Sequence, residues 1–152
     1  MTNENNIDKP IYSISSAARL LDISVHTMRL YEREGLIIPY KEENKNRLYS
    51  ERDIERLRCL RNGIQEKKYS ISSVKAMLSL LPCWAVMNCP MEEREVCPAY
   101  LKAEKPCWTY EHKGNVCEKQ DCRECEVYKN LKCSDIKDTI RKYSTVKDNV
   151  TL

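Results

Sequence analysis

The sequence predicts a mainly α protein in two unlike halves, helical up to about residue 81 and irregular from Pro82 onward. Three observations carry this reading. A serine precedes an apolar-periodic run at positions 15, 24, 50 and 70, the signature of repeated helix starts. Prolines at 82, 90, 98 and 106 forbid a long uninterrupted helix until about residue 121. Eight of the nine cysteines fall between Cys83 and Cys133, leaving only Cys59 apart.

Taken in order, the stretch SISSAARLLDIS predicts a first helix with Ser15 as cap and Ala17, Ala18 and Leu21 turned inward. A tight turn through Asp22 and Ile23 follows. Ser24 then caps VHTMRLYERE, which Gly35 ends as a C-terminal cap. Two helices joined by so short a turn make a helix-turn-helix, whose second helix can lie in a DNA major groove. LIIPYKEENKNRLYS then predicts an apolar strand, a polar turn and a second strand at Arg47-Leu48-Tyr49, a hairpin of the kind called a wing. Ser50 and Asp53 form a capping-box pattern for a third helix carrying Ile54, Leu57, Leu60 and Ile64 at helical spacing. Ser70 caps a fourth, which Pro82 stops. The first half is thus a winged helix-turn-helix of four short helices and a β-hairpin wing.

The second half carries an internal repeat. Pro82-Cys83-Trp84 is echoed by Pro106-Cys107-Trp108, Cys89 by Cys117, and Cys97-x-x-Tyr100 by Cys125-x-x-Tyr128. Cys122 is extra to the second copy, and Cys133 follows it. The duplication predicts two similar lobes packed together, with Trp84, Trp108, Tyr100 and Tyr128 as core. Past Cys133, Ile136, Ile140 and Tyr143 share a helical face, which predicts a short amphipathic helix. The expected domains are residues 11–81 for DNA binding, 82–133 for the cysteine-rich domain and 134–152 for the terminal helix and tail.

Net charge is +3, and its distribution says more than its sum. Residues 11–81 hold 13 Lys/Arg against 9 Asp/Glu, while residues 82–133 hold 8 against 9. The first half therefore suits a polyanionic partner. No apolar run approaches the roughly 20 residues needed to span a bilayer, and the N-terminus lacks the pattern of a secretory signal. A cytoplasmic protein without a membrane partner is expected.

From Ile14 to about Leu81 the chain resembles the MerR family. The resemblance rests on Ser15-Ser-Ala-Ala-Arg19-Leu-Leu, on Ser24-Val25-His26-Thr27-Met28-Arg29-Leu30-Tyr31-Glu32-Arg33-Glu34-Gly35-Leu36-Ile37, and on Arg47-Leu48-Tyr49-Ser50 followed by Asp53-Ile54. Two positions depart from the pattern: Leu30 replaces an aromatic after the arginine, and Asn46 replaces one before the wing arginine. Both bear on which operator is read. By residue type Arg29, Arg33 and Arg47 can pair with phosphates and Tyr31 and Tyr49 can add hydroxyl contacts, the competing readings being core packing for Tyr31 and a solvated helix end for Arg33 and Glu34. His26 and Thr27, following Ser24 at the helix N-terminus, reach base edges. The resemblance also implies a homodimer on a near-palindromic promoter, distorting double-stranded DNA so that RNA polymerase can engage it. The family's usual long dimerisation helix has no room here, because Pro82, Pro90 and Pro98 occupy its stretch.

In a reducing compartment, clustered cysteines point to metal ligation or redox chemistry rather than a disulfide framework. The candidate ligands are Cys83, Cys89, Cys97, Cys107, Cys117, Cys122, Cys125 and Cys133. Cys122-x2-Cys125 is the one tight chelating pair, and only His112 lies nearby. An all-sulfur donor set selects zinc, copper(I) or an iron-sulfur cluster. An iron-sulfur cluster, Zn2+ and a thiol-disulfide switch all stay open, the first favoured because the eight clustered sulfurs lie in irregular, proline-bounded loops, with a superoxide-sensing family member as an analogy. No acid/base pair, nucleophile-base arrangement or phosphate loop suggests an enzyme. The expected function is a DNA-binding transcriptional regulator responsive to metal or redox state. The competing readings are a cysteine half that is purely structural or dimerising, and a redox or electron-transfer protein.

Overall fold

The computed structural model describes residues 6–129 and 136–144. The chain is mainly α with one small sheet, and it separates into two compact units at Lys68/Tyr69.

The first unit opens with a two-residue strand, β1 (Tyr12–Ser13), which sequence periodicity is too short to reveal. α1 (Ile14–Leu21) follows, capped by Ser13 rather than Ser15: the Ser13 hydroxyl accepts the Ser16 N–H at 3.2 Å. In SISS each serine is chemically able to cap, and the pairing of Ser13 with Leu48 across the sheet decides which one does. Asp22 closes α1 in the left-handed region, and Ser24 caps α2 (Val25–Arg33) by accepting the Thr27 N–H at 3.0 Å. Gly35, at φ +77°, takes the left-handed position past the end of α2 that a side chain disfavours.

The hairpin begins later than the apolar run suggests. β2 is Tyr40–Lys41, and Leu36 and Ile37 instead pass into the core, each 1% exposed. β3 (Arg47–Tyr49) pairs antiparallel with β2 and with β1, giving the order β1-β3-β2. α3 (Glu51–Glu66) starts on the expected capping box: Asp53 N–H donates to the Ser50 hydroxyl at 3.2 Å and Ser50 N–H to the Asp53 carboxylate at 2.8 Å. Ala17, Ala18 and Leu21 of α1, Met28 and Tyr31 of α2, Tyr49 of β3, and Ile54, Leu57 and Leu60 of α3 are buried. This core gathers apolar side chains from every helix of the unit, so α2 has one face fixed and the other free.

The second unit begins with α4 (Ile71–Ser79), capped by Ser70 as expected. Ser79 Oγ donates to Ala103 O at 2.7 Å, tying α4 to the loop after the third of the short helices that follow. Those are α5 (Cys83–Val86), α6 (Met91–Arg94), α7 (Pro98–Lys102) and α8 (Glu126–Lys129). Single 3-10 turns span Cys107–Thr109 and Cys122–Glu124. Each proline sets a boundary, Pro82 and Pro90 just before a helix and Pro98 at its first position. α9 (Ile136–Ser144) falls where the amphipathic pattern places a helix, with Ile136 and Ile140 half-buried. No described helix is long and apolar enough to cross a membrane.

Candidate nucleic-acid interface and cysteine clefts

On α2, helical spacing sets His26, Arg29 and Arg33 on one side and Met28 and Tyr31 on the other. The structure exposes the first three and buries the last two, Met28 at 0% and Tyr31 at 6% exposure. Ser24 is exposed at the N-terminus of the helix, and Thr27 is half-buried with its hydroxyl 3.0 Å from that of Ser24. Three basic or ionisable side chains thus stand on the free face of a helix whose capped N-terminus is itself open to solvent.

Tyr31 and Tyr49 do not belong to that face. Tyr49 is fully buried, and burial beside the Glu32 carboxylate pushes its phenol well above the ordinary value. Both rings pack in the core, Tyr31 at 6% and Tyr49 at 0% exposure, and the Tyr49 hydroxyl is enclosed with its ring. Arg47 is placed differently again. Its Nε donates to Glu32 Oε1 at 2.7 Å, with the arginine side chain 39% and the glutamate 15% exposed. That bond, which also raises the guanidinium above its usual range, straps β3 to α2. Arg47 therefore holds the hairpin against the helix, a role that Glu32 in the sequence gave no reason to assign.

In the second unit, the repeat seen in the sequence is also a repeat in packing. Trp84 meets Tyr100 edge to face at 5.2 Å and 89°, and Trp108 meets Tyr128 at 5.1 Å and 83°. Each pair walls its own cleft. One, a shallow cleft open to solvent, is lined by Cys83, Cys89, Cys97 and Cys117 with Trp84 and Tyr100. The other is lined by Cys83, Cys107, Cys117, Cys122 and Cys125 with Trp108 and Tyr128. Seven candidate cysteines are therefore gathered at two adjoining clefts, all as free thiols. Cys133 lies outside the described residues, and Cys59 belongs to α3 in the first unit.

The electrostatics of the thiols follow from their neighbours. Cys107 hydrogen-bonds to Cys83, which pulls the Cys83 thiol below its ordinary value against the opposing effect of burial. The same bond, with burial, pushes Cys107 far up. Burial and the surrounding thiols push Cys117 up to about 12, and burial raises Cys122. Cys89 is raised by burial and by Glu93, whose Oε2 its sulfur approaches at 3.7 Å. Glu93 Oε2 also accepts the Val116 N–H at 2.9 Å, so it bridges the two repeats.

His112, which sequence reasoning left out of the site, lines both clefts. Its Nε2 must donate, because its partner at 2.9 Å is the Cys107 carbonyl. Nδ1 is then the bare nitrogen, 3.8 Å from Cys97 Sγ. The signal for it was only its isolation as a lone histidine among sulfurs.

These donors suit a soft, thiophilic metal in chemistry. In position they are not closed: among the described residues, no three His, Cys, Asp or Glu side chains stand at metal-holding spacing. In the reduced, metal-free chain, Cys83 is expected to alkylate ahead of Cys107 and Cys117 at neutral pH. A lowered pKa means more thiolate, the nucleophilic form, and all three are partly exposed. Peptide mapping after brief iodoacetamide treatment checks this, and equal rates would remove the Cys83–Cys107 hydrogen bond as the cause.

Comparison with known proteins places the first half firmly. The model of the MerR HTH family regulatory protein matches residues 12–81. Heat shock protein HspR of Streptomyces coelicolor is 37% identical over 73 residues, 48% of this chain and 48% of that protein. The HTH-type transcriptional regulator CueR of Vibrio cholerae is 37% identical over 73 residues, 45% and 49%. The regulator TnrA of Bacillus subtilis is 33% identical over 79 residues, covering 51% of this chain and 72% of that one. The chain spans about half the length, or less, of the first relatives it matches. With the helix pair, its caps and the fixed and free faces of α2 all in register with that match, the chain is a member of the MerR family of helix-turn-helix regulatory proteins.

Proposed function

We propose that this protein is a sequence-specific regulator of transcription. It reads duplex promoter DNA through a winged helix-turn-helix and responds to metal or redox state through its cysteine half. The observation that carries the DNA reading is the free face of α2, where His26, Arg29 and Arg33 are exposed opposite a buried face. With α2 in the major groove, His26 meets base edges while Arg29 and Arg33 reach phosphates on the flanks. The hairpin, with exposed Lys41 and Lys45, contacts the backbone beside it, held in place by Arg47 on Glu32. Relatives named as HTH-type transcriptional regulators support this reading.

The protein works as a cytoplasmic homodimer, binding rather than transforming its ligands, with RNA polymerase as the partner at the promoter. Between Pro82 and Lys129 no described helix exceeds five residues, so a long coiled coil is not built there. Dimer contacts belong to another surface of the second unit or to α9. An iron-sulfur cluster or Zn2+ at the clefted cysteines supplies the signal, changing charge and order in a unit whose apolar core is small. The matching Trp–Tyr walls favour one other reading, in which the bound metal is a structural staple only.

Selection from a random duplex library, run on metal-loaded, metal-free and oxidised protein, tests both parts. Expected is one enriched, dyad-symmetric site, bound at least about fivefold differently between the loaded and metal-free forms, the lower end of typical allosteric coupling. No enrichment over bulk DNA by folded protein would end the DNA reading. Equal affinity in all three forms would leave the staple.

A further inference from the structure

Within α2 a single acidic side chain, Glu32, stands among basic or ionisable ones. Helical spacing sets it between buried Met28 and exposed Arg29, on the flank of the free face. Arg29, three residues back, is the kind of neighbour that a helix carboxylate ordinarily pairs with. The carboxylate instead takes Arg47 from β3, whose Nε donates to Glu32 Oε1 at 2.7 Å. Arg29 and Arg33 are left exposed beside it.

That bond uses one edge of the guanidinium only. Arginine carries five N–H donors in a planar fork, and Nε supplies just one of them. Among the described residues, the donors on Nη1 and Nη2 of Arg47 have no hydrogen-bond partner. The arginine side chain is 39% exposed, whereas the glutamate is 15% exposed and its Oε2 is enclosed. We propose that Glu32 is a positioning residue for DNA binding, fixing Arg47 through Nε so that Nη1 and Nη2 clasp one phosphate beside the groove that α2 enters. This rests on the DNA reading given above, and it adds a second use to the arginine that straps the hairpin.

Both ends of the pair have rigid mounts. Glu32 belongs to a helix anchored by buried Met28 and Tyr31. Arg47 shares its side of β3 with Tyr49, two residues on and fully buried. Because the guanidinium is planar, a bond at Nε also sets the plane of the Nη pair, the edge that matches two phosphate oxygens. An unheld arginine would lose its rotamer freedom on meeting DNA; here that loss is taken on folding. The sign of the charge separates this role from a merely electrostatic one. A carboxylate near phosphates repels them, so on charge alone the chain would bind DNA better without Glu32. Positioning predicts the reverse.

The test is the affinity of the full chain for a short mixed-sequence duplex, because phosphate contacts need no operator. Titrations run at several salt concentrations, with circular dichroism melts on the same preparations. Glu32→Ala is expected to bind roughly three- to tenfold more weakly than the parent despite losing a negative charge, the scale on which freeing one long side chain acts. Glu32→Gln loses the same charge but keeps an oxygen for Nε, and should restore parent affinity or exceed it. In an Arg47→Ala background, Glu32→Ala should cost nothing further. Arg47→Lys separates clasp from strap without emptying a site. Its ammonium is a point charge that pairs with Glu32 or with a phosphate, and it has no fork to hold both. Binding should therefore fall and the salt slope flatten by about 0.9, with the melt unchanged. Should Glu32→Ala fail to fold, Glu32→Gln and Arg47→Lys carry the test. Glu32→Ala tighter than the parent, alanine and glutamine forms alike, or Arg47→Lys at parent affinity and slope would each overturn the proposal and leave Arg47 a strap. A folded parent that binds no duplex would overturn the DNA reading, and the clasp with it.

Discussion

Replacing Arg29 and Arg33 together with alanine is expected to weaken duplex binding by roughly hundredfold, at about 1.5 kcal/mol per lost charge-assisted contact. The plot of log affinity against log salt should flatten by about 1.8, because each phosphate neutralised contributes roughly 0.9 to that slope. Both side chains are exposed on the side of α2 away from buried Met28 and Tyr31. Alanine is the better helix former, so the unit should keep its fold and its melting temperature. His26→Ala makes the useful contrast: it should leave the salt slope unchanged and blunt discrimination between operator sequences. Gel-shift titrations at several salt concentrations separate the two effects. If the double substitution leaves the slope where it was, the phosphates are met elsewhere and the orientation assigned to α2 is wrong.

That α2 would be the presented helix was legible in the sequence, and so were most of its boundaries. Caps are local chemistry. Ser24, the Ser50–Asp53 box and Ser70 each satisfy N–H groups three residues away, so the pattern and the structure carry the same information. The misreadings came where a distant partner decides. Leu36-Ile37-Ile38 has the composition of a strand, yet Leu36 and Ile37 turn their apolar surface to the core, and the ladder begins at Tyr40. Ser13 wins the cap of α1 because β3 lies alongside it. In the second unit the repeat was visible, and its walls follow it residue for residue. Which sulfurs share a cleft was not visible, since Cys83 and Cys117 are brought to one wall by the packing of loops rather than by spacing.

Tyr49 shows how a side chain with two uses is decided by burial. A tyrosine next to a wing arginine reads equally well as a phosphate contact or as packing, because its ring is apolar and its hydroxyl polar. In the structure it is fully buried on β3, opposite Tyr12 of β1. Tyr49→Ala is therefore expected to destabilise the first unit by about 3–5 kcal/mol, the cost of emptying a large aromatic site. Against a total stability of roughly 5–15 kcal/mol, that is enough to leave much of the unit unfolded at physiological temperature. Tyr49→Phe removes only the hydroxyl, keeps the packing and should leave both melting temperature and DNA affinity nearly unchanged. The two substitutions together distinguish the roles. If the hydroxyl served a phosphate, the phenylalanine form would melt normally and bind DNA more weakly. With the ring in the core, the alanine form loses its cooperative transition, and binding falls only as the folded fraction falls. Circular dichroism melts and gel shifts on the same preparations decide between them, and a stable Tyr49→Ala protein would contradict the core drawn around β3.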